Sequence, residues 1–143
     1  MPIRPDLRHF YRTPTYREAR ARVIERAKNY CELCKKPNGA KVQTFTVLPV
    51  KGSEPAMFWK PIGILAVWRN KYGQLLDRFI PPHFRVIRVV LCVIHLDHTP
   101  GHDDDSNLGL YCQWCHLNYD KLHHKHTRSA RKDAGRPLLE VAI

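Results

Sequence analysis

The stretch HLDHTPGHDDDSNLGLYCQWCH, residues 95–116, holds most of the information about the fold of this chain. It completes the β-branched run FRVIRVVLCVIHLDH, which predicts one strand ending at Asp97-His98. The polar loop TPGHDDDSN follows, and LGLYC then predicts a second short strand. From Gln113 onward the sequence predicts a helix that closes at Gly135. We therefore expect two strands and a helix to form the core over residues 91–134.

Four of the five cysteines form two C-x-x-C pairs, one at Cys31/Cys34 and one at Cys112/Cys115. A gap of two residues lets both thiolates of a pair reach one ion from a tight turn, and two pairs complete a tetrahedral shell. We expect a structural zinc ion in a closed site that does no chemistry. Unligated thiols are the alternative. The fifth cysteine, Cys92, lies in an apolar run and is expected to be a core residue.

The rest of the chain divides into three parts around these pairs. Residues 1–14 carry three prolines and several arginines, which predicts an irregular basic arm. Thr15 and Glu18 form a T-x-x-E capping box, which predicts a helix over residues 15–30. Residues 41–90 are expected to be a β-rich insertion, with a strand in VQTFTVLPV and a hairpin made of IGILAVWRN and QLLDRFI. At 143 residues the chain fits a single domain, residues 1–143.

The charge of the chain favours a polyanionic partner. The net charge is +11, which suits nucleic acid or an anionic membrane surface. No apolar run approaches the roughly 20 residues of a spanning helix, and the N-terminus has no signal-peptide core, so we expect no membrane partner and an intracellular, cytoplasmic location. Six basic residues of the first and last helices are the expected contacts to duplex DNA phosphates: Arg17, Arg20, Lys121, Lys125, Arg128 and Arg131.

The pattern resembles the HNH endonuclease family in its version with a four-cysteine zinc. The resemblance covers the two C-x-x-C pairs and about residues 92–125, and leaves out the arm and most of the insertion. Its motifs are Asp97-His98, Asn107-Leu108 and Cys112-x-x-Cys115-His116. It implies an α+β fold with a ββα-metal core, in which Asp97, His98, Asn107 and His116 gather around one divalent cation. A bacterial or phage-infected host is typical of proteins that resemble this one.

The chemistry of phosphodiester hydrolysis gives these four residues roles. A neutral imidazole at His98 can take a proton from water near physiological pH. Asn107 can accept the other ring N–H and so hold the useful tautomer. Asp97 and His116 can supply one oxygen and one nitrogen to Mg²⁺, Mn²⁺ or another divalent cation, which would polarise the phosphate and stabilise the leaving group.

Several nearby residues keep alternatives open. His95 is the rival of His98 and could be a ligand or an orienting residue. His116 has the alternative of replacing a cysteine in the zinc shell. His123 and Asp120 fall on turns near His116, where they could help to hold metal or phosphate, although a polar helix face is the usual explanation for such residues.

Taken together, the sequence predicts a metal-dependent DNA endonuclease. A monomer would nick, and a double-strand cut would need a homodimer or two visits. One alternative is a catalytically silent, zinc-stabilised nucleic-acid-binding protein on the same scaffold. The other is an accessory nuclease that is active only beside a partner protein.

Overall fold

The computed structural model describes residues 3–134 of the chain. Gly135, where the last helix is predicted to close, lies outside the described residues. The described elements include both helices and strands, which confirms the mixture of α and β structure. In order they are a 3-10 helix Pro5–Arg12, α1 Pro14–Arg26, β1 Lys41–Val47, β2 Ala56–Pro61, β3 Arg85–Arg88, β4 Leu91–His95, a 3-10 turn Asp105–Asn107, β5 Leu108–Cys112 and α2 Gln113–Ala134. No helix in this range is long and apolar enough to cross a membrane.

Residues 91–134 contain two strands followed by a helix, in the order that the sequence predicts. Strands β4 and β5 pair antiparallel, with Val93 opposite Leu110 and His95 opposite Leu108. All five residues of β5 are buried, and α2 begins at the next residue. The polar loop 96–107 joins the end of β4 to the start of β5, and α2 follows the other end of β5.

The predicted long strand is wrong in one place, because it is two strands in two different sheets. Strand β3 belongs to a three-stranded sheet and β4 to the two-stranded one. Between them, the N–H of Val89 donates to the carbonyl of Ala40 (2.8 Å), whereas the N–H of Val90 donates to the side-chain oxygen of Gln113 (3.1 Å). Both sheets accept β-branched residues, so the hydropathy of the run does not mark the crossing.

The insertion is β-rich as predicted, but its hairpin is not the predicted one. Its sheet has the order β2-β1-β3 with antiparallel pairing, and the hairpin partner of β1 is β2. Residues 62–84 form no strand and contribute only two isolated bridges, both through Arg69. The apolar run IGILAVWRN does not pack as a strand, since Ile64 is fully exposed and Leu65 is 94% exposed.

The N-terminal region is more regular than the sequence predicts. The expected irregular arm is a 3-10 helix, and α1 begins one residue before Thr15. Its N-cap is Thr13, whose Oγ1 accepts a hydrogen bond from the N–H of Tyr16 (3.2 Å). The predicted capping box of Thr15 and Glu18 is therefore wrong. Pro14 explains the shift, because proline is favoured at the first helical position.

Helix α1 also ends earlier than predicted, and it leads directly into the first cysteine pair. Its last residue is Arg26, and Lys28 and Asn29 then adopt left-handed backbone conformations (φ 53° and 61°). Ala19 and Val23 are buried in the same apolar cluster as the cysteines and residues of β1, β2, β4 and β5. One core therefore joins α1, the two sheets and the cysteine pairs.

Candidate functional site

The four cysteines of the two C-x-x-C pairs converge as the sequence predicts. Their sulfur atoms all lie within 4.8 Å of one another, and all four residues are buried. Cys31 and Cys34 come from the turn after α1, whereas Cys112 ends β5 and Cys115 lies in the first turn of α2. Such a group could hold one metal ion. We call it the four-cysteine cluster.

A buried lysine lies beside this cluster. Lys36 is only 1% exposed, and its Nζ lies 4.0 Å from Sγ of Cys112. Burying an ammonium group is costly unless an anion compensates it. The N–H of Cys112 also donates to Sγ of Cys31 (3.4 Å). Both contacts suit sulfur atoms that carry negative charge, as the thiolate ligands of a metal do.

The turn of the first cysteine pair is fixed to both sheets. Glu32 donates its N–H to the carbonyl of Leu110 and accepts the N–H of Leu110 at its Oε1, both at 2.9 Å. Nε1 of Trp59, in β2, donates to the carbonyl of Cys34 (2.9 Å). The insertion is therefore anchored to the four-cysteine cluster.

A second polar cluster lies where the end of β4 meets α2. We define the histidine–aspartate cluster as His98, His116, Asp120, His123 and His124. Nδ1 of His98 lies 3.3 Å from Oδ1 of Asp120, and Nε2 of His116 lies 2.7 Å from Oδ2. Nε2 of His124 lies 3.8 Å from the same Oδ2, and the ring of His98 stacks on that of His123 with centroids 4.0 Å apart. Because His116, Asp120 and His124 are spaced by four residues, they share one face of α2.

A sharp turn brings His98 to this cluster. Its N–H donates to the carbonyl of His95 (3.1 Å), and its φ is 59°, in the left-handed region. That conformation is uncommon for a residue other than glycine. It sends His98 toward α2, whereas the side chain of Asp97 is held within the loop. Adjacent residues in the sequence thus serve different parts of the molecule.

The electrostatics of the cluster favour a neutral His98. Burial lowers the pKa of His98 below 6.5, and the neighbouring His123 lowers it further, while Asp120 opposes both. Asp120 is itself buried. Within the described residues, its Oδ1 and Nε2 of His124 are the buried side-chain polar atoms that lack a hydrogen-bond partner. Buried polar atoms without a partner are uncommon in folded proteins, so these two set the face apart from the rest of the described structure.

Asn107 does not have the predicted contact. Its Nδ2 donates to Oδ1 of Asp97 (2.9 Å) and to the carbonyl of His102 (2.8 Å), and its Oδ1 accepts the N–H of Asp97 (3.2 Å). Among residues 3–134 no hydrogen bond joins Asn107 to the ring of His98. In this structure the Asn107 amide closes the loop, and Asp120 faces Nδ1 of His98. The orienting role of Asn107 stays a prediction.

Asp97 is also committed to the loop. Its Oδ2 lies 2.6 Å from Nδ1 of His102, and its Oδ1 accepts the N–H of Thr99 (2.9 Å) as well as the Asn107 amide. These contacts, with His102 first, hold the pKa of Asp97 well below its usual range. In the described part of the chain, the four-cysteine cluster is the one group of three or more ligand-type side chains that is compact. Metal binding by Asp97 stays a prediction.

The other histidines near the loop separate clearly. His95 is buried, with its Nε2 2.8 Å from Oδ1 of Asp103, and its ring stacks on Tyr16 in α1. It therefore joins the loop to α1 and is not oriented as the rival of His98. His116 is not part of the compact sulfur group, which the four cysteines complete by themselves. It faces Asp120 instead.

Two contacts escaped the sequence analysis. Cys92, expected in the core, is half-buried, and its Sγ lies 3.2 Å from Nδ1 of His116. The second is the approach of His124 to Asp120. The sequence signal for it is that His116, Asp120 and His124 are spaced by four residues. That spacing was visible in the sequence. The contact of Cys92 was not, because it depends on how β4 packs against α2.

The six basic residues predicted to contact DNA are all exposed. None forms an ion pair with a described residue, in contrast to Arg22 and Arg26 of α1, which bind Asp105 and Glu32. On α2, the exposed Lys121 and Lys125 each follow a residue of the histidine–aspartate face, and Arg128 lies four residues after His124. A basic stripe therefore runs beside the polar cluster along the same helix.

Scans of protein-family models, of curated proteins and of solved structures find no match to this chain. The chemical parts of the site can be stated from its geometry. A closed group of four thiols lies behind an open group with a neutral imidazole, a buried carboxylate and further histidines. Exposed lysine and arginine side chains of α2 lie beside the histidine–aspartate cluster. These are the groups that hydrolysis of an anionic ester requires: a base, cation ligands and a surface that attracts the substrate.

Proposed function

We propose that this chain is a metal-dependent DNA endonuclease, with His98 as the general base. The observation that carries the proposal is the position of His98, which lies between Asp120 and His123 with its pKa lowered by burial. A base with this pKa is neutral near physiological pH and can accept a proton from water. Resemblance to HNH endonucleases supports the same assignment, as an expectation from sequence.

Asp120 gives His98 its direction. Its Oδ1 lies 3.3 Å from Nδ1 of His98 without a hydrogen bond in this structure, and we propose that the carboxylate favours the tautomer with the proton on Nδ1. The lone pair on Nε2 is then free to take a proton from the attacking water. A carboxylate that orients a histidine base in this way also stabilises the imidazolium that forms.

His116 and Asp120 fit a divalent cation. They offer one nitrogen and one oxygen, 2.7 Å apart on successive turns of α2, and the unpartnered Nε2 of His124 lies at the same carboxylate. This donor set suits Mn²⁺, Mg²⁺ or a related divalent ion. Such a cation, when bound, supplies charge stabilisation to the phosphate and to the departing 3′ oxygen. In our proposal, Asp97 becomes a further ligand of this cation only if its contact with His102 is broken.

The four-cysteine cluster is proposed to hold a structural zinc ion. Four thiolates make a closed tetrahedral site with no position for substrate. Lys36 supports this role, because its buried ammonium offsets part of the negative charge that four thiolates leave around a divalent ion. The cluster joins the turn after α1 to β5 and α2, and so fixes the frame on which His116 and Asp120 lie.

Duplex DNA is the proposed substrate. The net charge of +11 and the exposed basic stripe on α2 suit a polyanion. Contacts to phosphates give affinity that is sensitive to salt and largely independent of sequence. With one histidine–aspartate cluster per chain, a monomer nicks, and a double-strand cut requires a second copy or a second visit.

The test is nicking of supercoiled plasmid by the purified protein with Mg²⁺, Mn²⁺ or Ni²⁺, and with EDTA as the metal-free control. We expect His98→Ala to lower the rate at least about 100-fold, the usual contribution of a general base. The matched control is His126→Ala, which removes an exposed histidine of α2 that lies outside the histidine–aspartate cluster. It should nick like the parent protein, and both variants should keep DNA binding and the metal of the four-cysteine cluster.

A catalytically silent nucleic-acid-binding protein is the second candidate. The engagement of Asp97 by His102 and Asn107 favours it, since this leaves a predicted ligand occupied. Salt-sensitive DNA binding without nicking under any of the three metals would select this candidate. Nicking that survives in His98→Ala would reject the proposed base.

A further inference from the structure

We propose that Cys92 is a positioning residue, whose thiol fixes the ring of His116 so that Nε2 points at Asp120 and at a bound cation. The inference rests on the cation site of the proposed function and adds a residue to it. Cys92 belongs to β4, on the opposite side of the ring from Asp120. It does not touch the substrate or the cation.

The contact is direct. Sγ of Cys92 lies 3.2 Å from Nδ1 of His116, well within the range for a hydrogen bond that involves sulfur. Its other polar neighbour, the carbonyl of Tyr111, lies at 3.7 Å. His116 is thus held from both sides, by the thiol at Nδ1 and by Asp120 at Nε2, where the distance is 2.7 Å.

The thiol suits both states of the ring. Without a cation, Nδ1 can accept the S–H of Cys92, which leaves the ring proton on Nε2, 2.7 Å from the Asp120 carboxylate. With a cation on Nε2, the ring stays neutral and its proton moves through solvent to Nδ1, which then donates to Sγ. Histidines that bind metals usually donate their other N–H to such a partner. A thiol is both donor and acceptor, whereas an alkyl side chain is neither.

Core packing alone does not account for this residue. Leu91 and Val93, its neighbours in β4, are buried and apolar, whereas Cys92 is half-buried against a polar ring. The other four cysteines form their own group, and Cys92 is outside it. Valine is close to cysteine in size and shape, so substitution by valine separates the hydrogen bond from the volume.

The test uses the full-length protein with its four-cysteine cluster loaded, and three variants: Cys92→Ser, Cys92→Ala and Cys92→Val. Long-range ¹H–¹⁵N correlation spectra report the His116 tautomer without any added cation. We expect the Nε2–H form in the parent and in Cys92→Ser, and a mixture of tautomers in the other two. Calorimetric titration with Mn²⁺ should show about a tenfold or greater loss of affinity in Cys92→Ala and Cys92→Val, and near-parent affinity in Cys92→Ser.

The outcomes separate this inference from the proposed function. An unchanged tautomer and Mn²⁺ affinity in Cys92→Val would overturn it, as would equal losses in Cys92→Ser and Cys92→Ala. A parent protein that binds no Mn²⁺ would also overturn it. If Mn²⁺ binding depends on Cys92 as expected but plasmid is never nicked, the positioning role stands and the nuclease proposal fails.

Discussion

The four-cysteine cluster and the histidine–aspartate cluster share α2 but differ in burial and in how their polar atoms are paired. Both depend on α2, which supplies Cys115 to one and His116 to the other, one residue later. The first is compact and buried, and Lys36 lies beside it with a compensating charge. The second is half-exposed, and two of its buried polar atoms have no hydrogen-bond partner within the described residues.

The difference shows that one helix, α2, can supply residues to two kinds of polar site. In a closed site all the ligands surround one metal ion, so binding of that ion stabilises the fold. An open site keeps some groups unsatisfied, which costs stability but leaves them free to bind a cation or accept a proton. We expect substitutions in the first to change folding and substitutions in the second to change binding and chemistry.

The largest expected effect is that of Cys34→Ala. Loss of one thiolate opens the four-cysteine cluster, and metal binding at such sites contributes about 10 kcal/mol or more, which is comparable to the whole stability of a small domain. We expect this variant to lose its bound metal, as measured by metal analysis, and its cooperative thermal transition, as measured by circular dichroism. His116→Ala, in the neighbouring cluster, is the control and should remain folded with its metal. A folded Cys34→Ala with the parent melting temperature would remove the contrast between the clusters.

Lys36→Met is expected to have the next largest effect. Methionine fills the same space but removes the buried ammonium beside Cys112, and breaking a buried charge pair commonly costs about 3 kcal/mol. Urea unfolding should show this loss, and a chelator should remove the metal faster. The control is Lys35→Met, at an adjacent exposed lysine, where a change within about 0.5 kcal/mol is expected. Equal stability of the two variants would mean that Lys36 does not balance the thiolates.

Asp120→Asn sharpens the comparison from the other side. The amide keeps the shape of the carboxylate but removes the charge that faces three histidines. We expect Mn²⁺ affinity to fall at least about tenfold, with stability changed by only about 1 kcal/mol and metal in the four-cysteine cluster unchanged. Calorimetric titration and urea unfolding measure the two quantities. Unfolding of this variant would show that the open cluster is a structural site after all.

The sequence predicted the parts of this arrangement that short-range signals encode. The C-x-x-C spacing was sufficient for the four-cysteine cluster, and hydropathy placed β4, β5 and α2. The sequence analysis missed that the run 84–98 is divided between strands of two sheets. Val89 and Val90 are the same residue type, and they differ only in the partner that accepts their N–H: Ala40 for Val89 and Gln113 for Val90. The residues of a strand do not by themselves specify which other strand they pair with.

The histidine–aspartate cluster was predicted in its members more than in its contacts. His98, His116 and Asp120 were all named from the sequence, but Asn107 was given the partner that Asp120 has. The reason lies in the turn at His98, whose left-handed backbone separates its side chain from that of Asp97. A positive φ at a histidine has no sequence signal, so which of two adjacent residues faces α2 could not be predicted.

The smallest expected effect is a pair of opposite pKa shifts. His102 is close to Asp97 and Asp104, which raise its pKa above 6.5, whereas burial lowers that of His98. The raised pKa means that His102 stabilises the loop fully below about pH 6.5 and loses this contribution as the pH rises through its folded value; the lowered pKa of Asp97 means that its contribution is present above about pH 4 and is lost at lower pH.

The contact between Asp97 and His102 therefore stabilises the loop most between about pH 4 and 6.5. Histidine ring resonances followed by NMR should show a midpoint above 6.5 for His102 and below 6.5 for His98. Asp97→Asn should bring the His102 midpoint down and leave that of His98 nearly unchanged, because Asp97 is the weakest influence on His98. If both midpoints move together, Asp97 acts on the open cluster directly, and the loop and the cluster are one electrostatic unit.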